Sequence, residues 1–155
     1  MKLEKKMPYE IIMKTLDTCG DGIILTDPNR NDNPIIYCNR QFSKLTGYSS
    51  KEIIGKNCRF LQAHDTKQPE VLIIREAIKR KEKLKITLRN YRKDGSMFWN
   101  ELSLSPIHGD RGELLYYIGI QNNVTKKVQT QMQQREKILL LEENLKKCLI
   151  VLTNK

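Results

Sequence analysis

Three successive segments, Leu84 to Tyr91, Met97 to Pro106 and Leu114 to Gln121, read as β-strands, and the first two alternate apolar with polar residues. Alternation at period two is the mark of a strand with one face buried and the other wet. Lys93-Asp94-Gly95 supplies a tight turn between the first and second segments, and His108-Gly109-Asp110-Arg111-Gly112 a loop between the second and third. Short connections of this kind force neighbouring strands to run antiparallel. Any fold open to this chain must therefore contain an antiparallel sheet.

The region before these strands adds two more. Ile23-Ile24-Leu25-Thr26 is apolar and largely β-branched, residues 27–33 are polar with a proline, and Pro34-Ile35-Ile36-Tyr37 is apolar again. This pattern predicts a hairpin with a long loop. Short helices follow. Asn39 is placed to cap one that runs through Phe42 and Leu45 to Gly47, and Ser50 to cap a brief turn around Ile53 and Ile54 that ends at Gly55. Pro69 opens a longer helix with Leu72, Ile73, Ala77, Ile74 and Ile78 expected inward and Arg75, Glu76, Lys79 and Arg80 outward or flanking. Two strands, short helices, a longer helix and three strands describe an α+β domain with one antiparallel sheet.

Segments outside this core read as helices. Ile11, Ile12 and Leu16 mark one side of an amphipathic helix before the Cys19-Gly20-Asp21-Gly22 turn, so residues 1–19 form an N-terminal flanking segment and 20–123 the core. From Val124 to Lys155 there is no Gly or Pro, and the composition is that of a long helix. Ile138, Leu141, Leu145, Cys148 and Leu152 follow the 3-4 spacing of a coiled-coil seam. Traced backward, the same seam meets Gln134, Gln131 and Lys127, so the pattern holds over its last two heptads only, and Val128 and Met132 are alternatively available to pack on the core.

Charge and cysteine content narrow the function. The 155 residues hold 28 Lys and Arg against 18 Asp and Glu, a formal net charge of +10. Residues 122–155 hold seven bases against three acids, and residues 1–14 four against two, so much of the excess sits in the termini. Arg75, Lys79, Arg80, Lys81, Lys83, Lys85, Arg89, Arg92 and Lys93 are spread over a helix, a turn and alternating strand positions without a recognition motif, which favours a solvated face over nucleic-acid binding. No run approaches the roughly 18 apolar residues of a membrane span, and the N-terminus lacks the apolar core of a signal peptide. A cytosolic protein is the expectation. Cys19, Cys38, Cys58 and Cys148 lie far apart without a C-x-x-C, and with two histidines, His64 and His108, they indicate neither a zinc site nor a disulfide framework.

The segment Gly55-Lys56-Asn57-Cys58-Arg59-Phe60-Leu61-Gln62 is the most informative. Its cysteine alone supports three readings: a buried structural thiol, a thiolate nucleophile activated by Arg59, or a thiol facing a ligand. Neither histidine is near it in sequence, so a Cys-His hydrolase has no positive support.

This octet resembles the signature of the light-oxygen-voltage (LOV) domains, flavin-binding members of the PAS superfamily. Asp21 to Pro28 resembles the family's opening strand, Tyr37 to Phe42 with Thr46-Gly47-Tyr48 its first helix, Asn90 to Asn100 its central hairpin, and Tyr117 to Asn122 its last strand. The resemblance covers residues 20 to 125 or so and implies the PAS fold: a five-stranded antiparallel sheet with short helices on one face, an N-terminal helix and a long C-terminal helix. One departure is Asn123-Val124-Thr125, where many PAS sensors have Asp-Ile-Thr.

What the resemblance implies for the site is specific. Cys58 would bond reversibly to the C4a carbon of a flavin, expected to be FMN, under blue light, and Gln121 would switch its hydrogen bond when N5 becomes protonated. Asn90, Asn100 and Gln121 would face the ring's polar edge, because each amide offers a donor and an acceptor. Ile24, Leu61, Leu102, Leu104 and Gly119 would form walls, with Thr26, Asn33 and Ile78 nearby, Asn57 beside the cysteine and Gln62 on the ribityl chain. Arg59 and Arg75 would hold the phosphate. The output would pass from the last strand to the C-terminal helix, through a homodimer or to a separate signalling partner, with no enzyme domain in the chain and no membrane attachment. The competing reading is a PAS module that binds another ligand or only dimerises, with Cys58 as a core thiol.

Overall fold

A computed structural model describes residues 9–153. The elements run α1 (Tyr9–Thr18), β1 (Gly22–Thr26), β2 (Ile35–Cys38), α2 (Arg40–Thr46), α3 (Ser50–Ile53), a 3-10 turn (Cys58–Gln62), α4 (Pro69–Arg80), β3 (Leu84–Tyr91), β4 (Met97–His108), β5 (Leu114–Asn123) and α5 (Thr125–Thr153). The five strands form one antiparallel sheet in the order β2-β1-β5-β4-β3. Both sequence-predicted pairings occur, the β1/β2 hairpin and the β3-β4-β5 meander, and β1 joins them through β5. The α+β expectation holds, with helices before and after the sheet as expected.

β4 runs two residues beyond its predicted end because its ladder with β5 continues through Pro106 opposite Tyr117 to His108 opposite Leu114. Pairing with β3 stops at Leu104, so Pro106 lies where β4 has a neighbour on one side only. A residue without an N–H is tolerated at such a position.

Registers set the inner face. Leu102 lies opposite Gln121, which lies opposite Gly22, and the next row places Leu104, Gly119 and Ile24 across three strands. Below β1 and β2, the buried cluster Ile24, Ile35, Phe42, Ile53 and Leu61 forms a core. Asn39 organises this end as predicted. Its Oδ1 accepts from the N–H groups of Phe42 at 2.9 Å and Ile23 at 2.8 Å, and its amide donates to the carbonyls of Leu16 and Asp21. One fully satisfied side chain thus caps α2 and ties the end of α1 to β1.

Two local expectations are corrected. Ser49, not Ser50, caps α3, because a cap at 49 puts Glu52 at the third helical position, where its carboxylate accepts from the Ser49 N–H at 2.9 Å. On α4, Leu72 and Ile73 point out, at 62% and 50% exposure, while Val71 and Ala77 are buried. The apolar run Val71-Leu72-Ile73-Ile74 admits two helical phases, and the sheet selects the one that turns Val71, Ile74 and Ile78 inward. α4 is clamped at both ends. The buried Gln68, just before it, accepts from the Arg89 N–H at 2.8 Å and donates to the Arg89 carbonyl at 3.0 Å, and the Tyr117 hydroxyl donates to the Ile78 carbonyl at 2.8 Å.

The chain divides into two compact units after Asn123. The second is α5, whose seam residues Ile138, Leu141 and Leu145 are 54–62% exposed; Met132 is exposed too. The side chain of Leu152, the last seam position, lies outside the described residues.

Candidate functional site

Between the inner face of the sheet and α4 with the 3-10 turn lies a cavity of about 910 Å³, its open mouth included. The 3-10 turn is fixed by Asn57, whose Oδ1 accepts from the Arg59 N–H at 3.0 Å while its amide donates to the Asp32 carbonyl at 2.6 Å. Gly55, at φ 87°, donates to the Ile35 carbonyl, and Ile35 donates to the Lys56 carbonyl, which ties this segment to β2.

Cys58 faces the cavity from the first position of the turn. The residue as a whole is partly exposed, but burial of its sulfur pushes the thiol up to about 12. Burial is the sole cause, with no neighbouring charge or hydrogen bond opposing it. The group is therefore a neutral thiol at ordinary pH, which removes support from the reading of an Arg59-activated thiolate. His64 instead packs its ring against Tyr91, with centroids 4.7 Å apart.

Strands supply the polar wall. Asn90, Asn100 and Gln121 are all nearly fully buried and line the cavity. The Asn100 amide donates to Asn90 Oδ1 at 2.8 Å, but Asn100 Oδ1 and both polar atoms of Gln121 have no protein partner, and the same holds for Thr26 Oγ1 and Asn33 Oδ1. Such groups are costly to bury unpaired, so their convergence on one cavity points to a ligand that pairs them. Gly119 keeps the floor open. A Cβ there would lie 3.0 Å from Gln121 Nε2 and 3.1 Å from Ile24 Cγ1.

Of the residues expected at the site, Ile24, Thr26, Asn33, Asn57, Cys58, Arg59, Gln62, Arg75, Ile78, Asn90, Asn100, Leu102, Leu104, Gly119 and Gln121 all line this cavity. Leu61 does not, being packed in the neighbouring core with Phe42 and Ile53. Arg59 and Gln62, three positions apart in the 3-10 turn, share one side of it and both line the cavity, whereas Leu61 packs in the core that Cys58 also touches. Sequence reading omitted Val71, Ile74 and Leu88 from the lining. Leu88 was legible, since it shares the strand face of Asn90 two positions on, whereas Val71 and Ile74 depended on the phase of α4. Among the described residues no cluster of metal-ligating side chains occurs.

Comparison with known proteins bears on the family and the fold. A PAS domain family profile matches residues 20–126. A blue-light photoreceptor of Listeria monocytogenes is 43% identical over 135 residues, covering 87% of this chain and 53% of its own, so the chain spans about half the length of that relative. An RNA-binding light-oxygen-voltage receptor is similar in structure, with a TM-score of 0.79 and 34% identity over 89% of this chain and 40% of its own. A light-oxygen-voltage domain whose mechanism was studied with a flavin analogue gives 0.70 and 36% identity over 84% of this chain and 96% of its own. With its sheet order, its cysteine-bearing turn and a near-complete match to a solved domain of this kind, the chain belongs to the light-oxygen-voltage domains of the PAS family.

Proposed function

We propose that this chain is a blue-light sensor that holds a flavin in the cavity and uses Cys58 as its photoreactive thiol. The observation that carries the reading is the set of buried amide and hydroxyl atoms, on Asn100, Gln121, Thr26 and Asn33, that converge without protein partners on one cavity. A flavin ring has flat apolar faces and one polar edge, and this donor and acceptor set fits it. When bound, the flavin supplies absorption of blue light and the ring carbon to which sulfur bonds.

The remaining steps belong to the protein. Asn90, Asn100 and Gln121 orient the ring by its polar edge, and Ile24, Leu102, Leu104, Ile78 and Gly119 enclose it and exclude water. Cys58, kept neutral by burial, carries both the sulfur and the proton that the reaction consumes. Gln121 presents either its oxygen or its amide hydrogens, and so accommodates a neighbour that changes from acceptor to donor. It stands on β5, four residues before the start of α5, which makes that helix the natural output.

Arg59 and Arg75 at the same cavity favour a phosphate-bearing flavin, FMN, as the occupant. We assign the chain a non-catalytic role and a cytosolic location, which four free cysteines support. The exposed 3-4 spaced apolar residues of α5 suit pairing with a second copy, so replacing both Leu141 and Leu145 by Glu should convert a dimer to a monomer in size-exclusion light scattering. The functional test is an absorption spectrum of purified protein. Flavin bands that bleach under blue light and recover in darkness are expected, and Cys58→Ala should retain the flavin while abolishing the bleaching. A colourless protein, or bound flavin that never bleaches, would overturn the reading.

A further inference from the structure

The two arginines at the cavity are not equivalent. Arg59 is engaged by Asp32 through both terminal nitrogens, Nη1 to Oδ2 at 2.8 Å and Nη2 to Oδ1 at 2.7 Å. Arg75, on α4, forms no ion pair with any described residue. The carboxylate is also held from behind. Asp32 and Asn33 are consecutive non-glycine residues at φ 66° and 46°, and the Asp32 carbonyl accepts the Asn57 amide at 2.6 Å. Left-handed backbone at two adjacent positions is unfavourable for such residues and persists where the surroundings impose it. It directs neighbouring side chains to different tasks: Asn33 lines the cavity with an unpaired oxygen, and Asp32 meets Arg59.

Resting on the flavin reading above, we propose that Asp32 sets how strongly the cavity distinguishes a phosphate-bearing flavin from a phosphate-free one. It occupies Arg59 and so leaves Arg75 as the principal phosphate anchor. Two guanidinium groups and one carboxylate give the mouth one net positive charge instead of two. A phosphate-free flavin leaves Arg59 paired, so its binding strands one guanidinium and not both. A phosphate, in turn, must either share Arg59 with a carboxylate that repels it or rely on Arg75. Asp32 is thus a positioning residue that lowers selectivity for phosphate by acting through Arg59.

The test compares the affinities of the apoprotein for FMN and riboflavin, read by quenching of flavin fluorescence. The wild-type chain should prefer FMN modestly, and Asp32→Asn should raise the FMN-to-riboflavin ratio roughly tenfold, the order expected for removing one screened charge beside a bound anion. Asp32→Glu should keep the ratio near wild type. Arg75→Gln should bring it close to unity, and Arg59→Gln should lower it less. A merely structural role for Asp32 would weaken both flavins together and leave the ratio unmoved.

An unchanged or reduced ratio in Asp32→Asn, or an Arg59→Gln loss equal to that of Arg75→Gln, would overturn the proposal while leaving flavin binding intact. Failure of the wild type to bind either flavin would instead remove the reading on which it rests. Should Asp32→Asn not fold, the two arginine variants decide the matter.

Discussion

The two ends of the cavity handle polarity in opposite ways. On the strands, Asn100 and Gln121 are almost fully buried yet keep polar atoms unpaired, whereas at the mouth Arg59 and Asp32, 57% and 49% exposed at their side chains, satisfy each other. An unpaired amide away from water costs about 1–3 kcal/mol, while an exposed ion pair contributes about 0–1 kcal/mol. The strand end therefore stores binding energy for a ligand, and the mouth stores little. Recognition of the ring should dominate affinity, with the charged mouth adjusting selectivity.

This contrast can be broken or sharpened by experiment. The largest effect expected is at Asn100: replacement by Leu keeps the branched skeleton but removes the amide, and should weaken flavin binding about 10- to 100-fold in a titration of apoprotein, corresponding to about 1–3 kcal/mol. The loss should be equal for FMN and riboflavin. A loss confined to FMN would break the comparison.

Gly119→Ala should come next. The added Cβ would press on Gln121 Nε2 and Ile24 in a packed site, and overpacking costs about 1–3 kcal/mol. Reduced flavin occupancy of purified protein and a displaced Gln121 amide resonance are expected. Full occupancy with an unperturbed amide would show that the floor yields more readily than its neighbours suggest.

Raising ionic strength should have a smaller effect, and only at the mouth. FMN affinity should fall a few-fold between low and physiological salt as exposed charges are screened, with riboflavin affinity nearly constant. Equal salt dependence for both would place charge in ring recognition.

No effect at all is expected from pH at the interior thiol across the ordinary cysteine range. The Cys58 pKa is raised from 9.0 to about 12 by burial, so the proton stays on sulfur as pH passes 9.0 and leaves only on approaching 12. The yield of blue-light bleaching should stay flat through pH 9.0, and a decline centred there would mean that the sulfur is solvated like an exposed thiol.

Much of this site was legible because the family resemblance named its residues, while short-range rules located the elements that carry them. Asn90, Asn100 and Gln121 belong to strands whose turns and alternation fix which residues share a face, and Asn39 caps its helix as its position predicts. Leu72 and Ile73 were misplaced because an uninterrupted apolar run does not reveal the phase of a helix. Leu61 was assigned to the cavity because the resemblance groups the octet together; it is buried in the core against which Cys58 packs, while Cys58 and Gln62 line the cavity.

The sequence by itself determined the antiparallel sheet and the short helices, since periodicity, caps and turns are local properties of the chain, and its motifs carried the resemblance that named the cavity residues. Tertiary structure alone decided which face of α4 closes the cavity, that Gln68 and Tyr117 clamp that helix at its two ends, and that Asp32 sits on Arg59. Those contacts join residues 21 to 39 positions apart, and Asp32 and Arg59 are 27 apart. At such separations no local rule operates, and only packing of the sheet against the helices selects the partner.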